Sequence, residues 1–336
     1  MIKMIKIDGS YGEGGGQILR TAIALSCITG EAVEVYNIRA NRHKPGLAMQ
    51  HVKGIEAARE IANAKVEGLK KGSTKITFFP GKVKGKQLKI DVGTAGSVTL
   101  ILQVISPISM VAEREVEVFI KGGTDVNWSP PVDYMKNVTF YGLKRMGGKA
   151  ELLVLERGYY PKGGGKVRAF FEPSKLLGLE FKPEKVKVVK GVSHCQNLPA
   201  HVAERQAKSA KELLPFETEI EIEVRKGIST GSGITLWCGL IGGSSLGEKG
   251  KKAEVVGREA ANRFLEGVNS KAALDEWVGD QIMVFASIAS GVTKYTVSKI
   301  TMHQISNAYV INKFFDNCVK IDEEKREILI RGAGIT

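Results

Sequence analysis

Apolar residues recur along this chain at two alternating periods, and the alternation predicts short strands separated by amphipathic helices. Met4 to Ile7 reads as a buried strand (4–8). Ile18, Ala22, Leu25 and Ile28 then return at helical spacing and predict a helix over 17–29. The pattern continues as strand 32–38, helix 46–62 and strands 64–68 and 74–79. A second series follows in the same order: strand 87–91, helix 96–110, strand 115–120, helix 131–146, strands 150–155 and 166–172. The two series are related in sequence. Lys6-Ile7-Asp8 recurs as Lys89-Ile90-Asp91, and Val33-Glu34-Val35-Tyr36 recurs at the same offset as Val116-Glu117-Val118-Phe119. Two independent matches at one offset indicate a duplicated βαβαββ unit. Pro45-Gly46 and Pro130-Pro131 stand where each unit's second helix begins, a position proline tolerates.

A third copy is expected at the carboxyl end: helix Glu276–Ser290, strand Lys294–Ser298, helix His303–Phe314, and strands Cys318–Ile321 and Ile328–Arg331. Its opening strand, Leu179–Lys182, is separated from its helix by residues with their own pattern. Those read as strand Lys185–Ser193, helix Ala200–Leu214, strands Glu217–Arg225 and Gly233–Ile241, and helix Ala253–Leu265. The expectation is an α/β (α+β) fold of three βαβαββ repeats packed together. Residues 1–183 plus 269–336 would form the main, catalytic domain, with residues 184–268 a smaller α/β domain inserted in the third repeat. Insertion into a surface loop is where chains tolerate it.

Composition changes this picture in one respect. The 336 residues carry 43% hydrophobic and 25% charged side chains, ordinary for a globular chain, but a net charge of +13 and a pI near 9.4. Such a balance calls for an anionic partner, nucleic acid first and nucleotide second, or else reflects a basic, heat-adapted surface. No segment reaches the roughly 18 apolar residues of a membrane span; Val98 to Ala112 is broken by Gln103 and Pro107. Asp8 comes too early for a signal peptide. Cys27, Cys195, Cys238 and Cys318 are scattered, as expected of reduced thiols in a cytoplasmic protein. His194-Cys195 with His201 fits no zinc spacing.

The candidate chemistry lies between the elements. Asp8-Gly-Ser-Tyr-Gly-Glu-Gly-Gly-Gly-Gln-Ile-Leu-Arg20 is a strand, a glycine loop and a helix start. Backbone there can approach a ligand closely, and the helix offers free N–H groups to an anion. Glu13, an acid in a loop suited to phosphate, makes sense with a divalent cation between them. A purely structural turn is the alternative. Arg39-Ala-Asn-Arg42-His43-Lys44-Pro45-Gly46 places basic side chains at a helix start, where arginine forks onto phosphate oxygens. Gln50 and His51 follow in that helix. Gly93-Thr-Ala-Gly-Ser97, with Gln103 on the next helix, is the second unit's counterpart loop. Gly122-Gly-Thr-Asp125, running on to Ser129-Pro-Pro131, and Arg157-Gly-Tyr-Tyr-Pro-Lys-Gly-Gly-Gly165 are similar, and each could be only a sharp corner. His303 follows Thr301, a candidate N-cap. A helix N-terminus disfavours imidazolium, which would keep the ring neutral and nucleophilic.

These stretches, together with Ile38-Arg-Ala-x-Arg42, Lys44-Pro-Gly-Leu47, Gln50-His51, His201-Val-Ala-Glu-Arg205, Asp280-Gln281 and the helix opening at His303, resemble the RNA 3′-terminal phosphate cyclase family over essentially the whole length. The resemblance implies an enzyme that converts an RNA 3′-phosphate to a 2′,3′-cyclic phosphate using ATP. A covalent histidine–AMP at His303 and an RNA(3′)pp(5′)A end would be its intermediates. It further implies catalytic roles for His303, Glu13, Arg20 and Arg42, with Glu13 the ligand of Mg²⁺ or Mn²⁺. Arg20, Arg39 and Arg42 would contact phosphate. Gln50, His51, Gln103, Pro131, Glu276, Trp277, Val278, Gly279, Asp280 and Gln281 would form the nucleotide site, Trp277 standing where the family often has tyrosine. Partners would be RNA 3′-phosphate ends and nucleotide, with no membrane; a homo-oligomer is left open. Other readings are a non-catalytic relative acting in ribosome assembly, an enolpyruvyl transferase-like enzyme, and a plain RNA-binding module.

Overall fold

In the computed structural model, which describes residues 4–336, the first unit is β1 (Met4–Asp8), α1 (Gly16–Thr29), β2 (Ala32–Tyr36), α2 (Met49–Ile61), β3 (Lys65–Glu67) and β4 (Ile76–Phe79). Its sheet has the order β1-β2-β4-β3, with β1 and β2 parallel and the other pairs antiparallel. Parallel neighbours require a crossover, which α1 supplies. The next six elements repeat this plan: β5 (Gln87–Asp91), α3 (Val98–Met110), β6 (Val116–Gly122), a broken helix, β7 (Lys149–Glu156) and β8 (Gly165–Glu172). The sheet order is β5-β6-β8-β7, again with only the first pair parallel. The helix expected over 131–146 is broken into α4 (Val132–Tyr134), a π-helical turn (Met135–Thr139) and α5 (Phe140–Arg145).

Residues 188–269 carry β9 (Val188–Gln196), α6 (His201–Leu213), β10 (Glu217–Arg225), β11 (Gly231–Cys238), β12 (Ile241–Leu246) and α7 (Ala253–Asn269), in a sheet ordered β10-β9-β11-β12. A separate hydrophobic cluster, centred on Leu236, Ala260 and Phe264, lies under it. The carboxyl-terminal part has α8 (Glu276–Ile288), β13 (Ser290–Thr296), α9 (Met302–Phe314), β14 (Val319–Asp322) and β15 (Glu327–Ala333), the sheet running β13-β15-β14. One large core joins the helices of the first, second and last parts.

Beyond the broken helix, three expectations need correction. The helix expected from residue 46 starts at Met49, because Gly46 adopts a φ of +79° and Arg39 Nη1 donates to its carbonyl. The opening strand expected at Leu179–Lys182 is not a regular strand. That segment runs along β13 through parallel bridges at Leu177–Ser290 and Glu180–Lys294. Phe181 N–H donates to the Lys294 carbonyl, and Pro183, lacking an N–H, cannot continue the ladder. The strand expected over Gly233–Ile241 is a hairpin of β11 and β12, turning at Gly239 with a φ of +57°. Its second arm, Ile241-Gly-Gly-Ser-Ser-Leu246, has too few β-branched or aromatic residues to read as a strand. Gly243 is required there: a Cβ would stand 2.4 Å from the Ala260 carbonyl oxygen of α7.

α1 is buried from Gln17 through Ile28, since α2, α3 and α9 all pack on it. Its polar residues therefore need partners inside the protein. Those partners build the site.

Candidate active site

Gln17, Arg20 and Thr21 project from the first turns of α1. Gln17 Nε2 and Thr21 Oγ1 donate to Asn307 Oδ1 of α9 at 3.1 and 2.6 Å. Asn307 Nδ2 donates in turn to the Asp280 carbonyl of α8 at 3.0 Å. One amide thus ties three helices from distant parts of the chain. Asn307 lies four residues after His303 on α9, so both share a face.

At the head of that face His303 is held from both sides. Its Nδ1 is 3.0 Å from Asp280 Oδ2, and its Nε2 is 3.2 Å from Glu13 Oε2. Arg42 Nη2 donates to the same Glu13 oxygen at 3.1 Å. The start of α9 is fixed by Gln304: its Oε1 accepts from Thr301 N–H at 2.6 Å, and its Nε2 donates to the Glu276 carbonyl. Asp280 is buried, whereas the His303, Glu13 and Arg42 side chains are each about 40% exposed. The ring is anchored on one nitrogen and presents the other at the surface.

Two carboxylates oppose the effect of the helix N-terminus on this ring. The hydrogen bond to Asp280, helped by the charges of Asp280 and Glu13, raises His303 above the ordinary 6.5 despite burial and Arg20. Carboxylate acceptors face both ring nitrogens and favour the imidazolium that the helix N-terminus disfavours.

Behind this surface lies a buried cationic floor. Arg20 Nε donates to Gln103 Oε1 at 2.9 Å and Nη2 to Gln17 Oε1 at 2.5 Å. Arg20 and Gln103 are 83 residues apart, the offset of the sequence repeat, so equivalent positions of two units meet face to face. Burial lowers Arg20 to about 10, still cationic at neutral pH. His51 is buried beside it; desolvation, Arg20 and Arg39 pull it down to about 3. It is therefore neutral, and its Nδ1 accepts from Ala48 N–H at 3.1 Å. Gly16 sits on this pair: a Cβ there would be 2.3 Å from His51 Nε2. No side chain caps α1, whose N-cap is Gly15. Its first N–H groups, with Arg42 Nη2 beside Gly15 and buried Arg20 behind, offer a cradle of donors and positive charge near His303.

The sequence that builds this site matches known proteins. The family model described as RNA 3′-terminal phosphate cyclase fits residues 11–321. The chain belongs to the RNA 3′-terminal phosphate cyclase family. It is 58% identical over 326 residues to the RNA 3′-terminal phosphate cyclase of Archaeoglobus fulgidus, covering 96% of this chain and 99% of that one. The cyclases of Pyrococcus furiosus and Methanopyrus kandleri are each 51% identical, covering 95% and 97% of both chains respectively.

The other residues that the resemblance nominates divide by place. Gln50 accepts from Ser97 N–H at 2.9 Å and so locks the second unit's glycine loop onto α2. Arg39 is half-buried and bonded to Gly46; burial, then Arg42, lowers its pKa. Pro131 precedes α4, and Thr99 Oγ1 donates to the neighbouring Pro130 carbonyl. Trp277 is 37% exposed, edge-on to Tyr134. Glu276 is half-buried and shifted upward by burial. Val278 and Gly279 are packed inside; a Cβ on Gly279 would be 2.5 Å from Val297. Gln281 is buried between Thr139 and the Trp277 carbonyl. The segment therefore brings Asp280 to His303 and Trp277 to the surface, while its other members hold it in place.

The donor set fits a divalent cation of the magnesium kind. Glu13 offers one half-exposed carboxylate, and such ions bind through one or two carboxylates plus substrate phosphates. Among the described residues a tighter acid–histidine cluster exists at Asp125, Asp133 and His194. Arg157 fills it: Nη1 stands 3.1 and 2.8 Å from the two aspartates.

No helix among the described residues is long and apolar enough to cross a membrane.

Proposed function

We propose that this chain uses ATP to convert an RNA 3′-terminal phosphate to a 2′,3′-cyclic phosphate, carrying AMP covalently on His303. The observation that carries the reading is an imidazole with Nδ1 fixed by Asp280 and Nε2 directed at Glu13 and Arg42. His303 Nε2 attacks the α-phosphorus of ATP; an N–P bond forms, the α–β bridging P–O bond breaks, and pyrophosphate leaves. An oxygen of the RNA 3′-phosphate displaces the histidine, giving RNA(3′)pp(5′)A. The neighbouring O2′ then attacks the activated phosphorus and AMP departs. A phosphate monoester lacks a good leaving group, and AMP supplies one. Closure gains from the adjacent hydroxyl. Glu13 would hold Mg²⁺ or Mn²⁺, which when bound offsets charge on the phosphates and leaving pyrophosphate. Arg20 and Arg42 balance the same charge from the protein side.

A non-catalytic scaffold, an RNA-binding module and an enolpyruvyl transferase-like enzyme have no use for a carboxylate-oriented histidine at this surface. The test is direct: RNA ending in a 3′-phosphate, with ATP and a divalent cation, should acquire a phosphatase-resistant end. An RNA that is bound but stays phosphatase-sensitive would refute the reading.

Because Asp280 raises His303, the nucleophile is freed only as pH rises, so the acid limb of self-adenylylation should lie above the ordinary 6.5. Asp280→Asn should move that limb downward and lower the plateau by up to about 10⁴-fold, the loss seen when an orienting carboxylate becomes an amide. Rapid-quench rates across pH check this; an unmoved limb contradicts the assigned role.

The cluster of its own under residues 188–269 supports an inserted 184–268 beside a main body of 1–183 with 269–336, Leu240 and Trp237 packing across onto the main core. All four cysteines are free, which supports a reducing, cytoplasmic setting.

A further inference from the structure

The two most exposed large apolar side chains among the described residues are Trp128, at 95%, and Tyr160, at 78%. Trp128 also has a φ of +67°, a conformation that is a genuine outlier for a bulky residue. A side chain worth burying is thus held out in water on strained backbone.

Both loops are rigidly held. Thr124 and Asp125 N–H donate to the Gly158 carbonyl at 2.8 and 3.2 Å, and Asp125 bridges to Tyr159. The Tyr159 ring is buried against His194, whereas Tyr160, in the turn that follows, is exposed. Both loops are also fastened to the elements that carry the site. The Pro130 carbonyl accepts from Thr99 on α3, and Gln103, which grips Arg20, is one turn further along that helix, roughly 6 Å. Gly163 lies against Ala95 in the loop that Gln50 locks. The surrounding turns expose Lys162, Lys226 and Lys249, with Glu248 the nearby acid that accepts from Asn127.

We propose that Trp128 and Tyr160 are a base-stacking face for the RNA strand leading to the reacting 3′ end, an inference that rests on the functional reading above. Proteins that read single strands without sequence preference combine aromatic faces with basic surface, each stacked base contributing about 1–3 kcal/mol. A net charge of +13 fits such a strand.

The test uses full-length Trp128→Ala and Tyr160→Ala. Each should weaken binding of a 3′-phosphorylated oligonucleotide, read as Kd and KM, by about 5- to 150-fold. Self-adenylylation should be unchanged. Trp128→Phe should recover most of the affinity, and the defect should vanish with a nucleoside 3′-phosphate too short to reach the aromatics. Oligonucleotide affinity equal to wild type overturns the inference. So does a change in oligomeric state with RNA affinity intact, since that makes the face a protein contact. Failure of the underlying reading looks different: wild-type protein would then take up no AMP and cyclise nothing.

Discussion

His303→Ala is expected to abolish transfer of AMP to the protein and to lower RNA cyclisation by at least about 10⁴-fold, the scale on which nucleophile deletions fall. The fold should survive. The ring is about 40% exposed, and Gln304 and Asn307 hold the start of α9 and its ties to α1 and α8 without it. RNA and nucleotide affinity should change little, because Arg20, Arg42 and the α1 cradle remain. Asn in place of His should behave like Ala, since an amide does not attack phosphorus. A variant that retains more than a hundredth of wild-type rate would exclude His303 as the group carrying the nucleotide.

The second large effect concerns stability. Arg157→Met should destabilise the protein by about 3–5 kcal/mol, because it leaves buried carboxylates without their counter-charge. Arg157 is 2% exposed and reaches Asp125 and Asp133 of the second unit and Glu223 of β10, with Nε 2.5 Å from Glu223 Oε1. Burial disfavours ionised Asp125, but His194 and Arg157 outweigh it and hold the carboxyl well below its usual range; Glu223 is likewise lowered despite burial. For depressed carboxylates the stabilisation is complete above the unfolded value, near pH 4. It is lost as pH falls through the folded-state value. Denaturant unfolding of wild type should therefore weaken steeply below about pH 4, and Arg157→Met should show a smaller acid loss from an already low start. Asp125→Asn combined with Arg157→Met should recover part of the deficit. A cost under 1 kcal/mol would show that this junction contributes little.

The helices and most strands were legible because their signals are local. Ile18, Ala22, Leu25 and Ile28 give the buried face of α1 by spacing alone, and the duplicated Val-Glu-Val strands mark where β2 and β6 must fall. β12 was not legible, since Gly242 and Gly243 are there for contact with α7 rather than for strand preference. His303, Glu13 and Arg42 were named from motifs, and their meeting is a matter of long-range packing that no local pattern contains. Asn307 was missed although its spacing from His303 was readable; nothing in sequence says that an amide on that face has partners on α1 and α8. The electrostatic setting of His303 is equally non-local. A helix N-terminus is visible in sequence, but the two carboxylates that oppose it arrive from α8 and from the first glycine loop. Arg157 sits in a glycine-rich loop that resembles a ligand site, yet its guanidinium turns inward to three acids.

The most direct measurement is the location of the nucleotide. Wild-type protein, given ATP labelled at the α-phosphorus with Mg²⁺ or Mn²⁺, should yield an acid-labile, alkali-stable label. After proteolysis that label should map to the peptide containing His303, and RNA with a 3′-phosphate should discharge it. Label found on a lysine, or none on a protein that still cyclises RNA, would contradict the account.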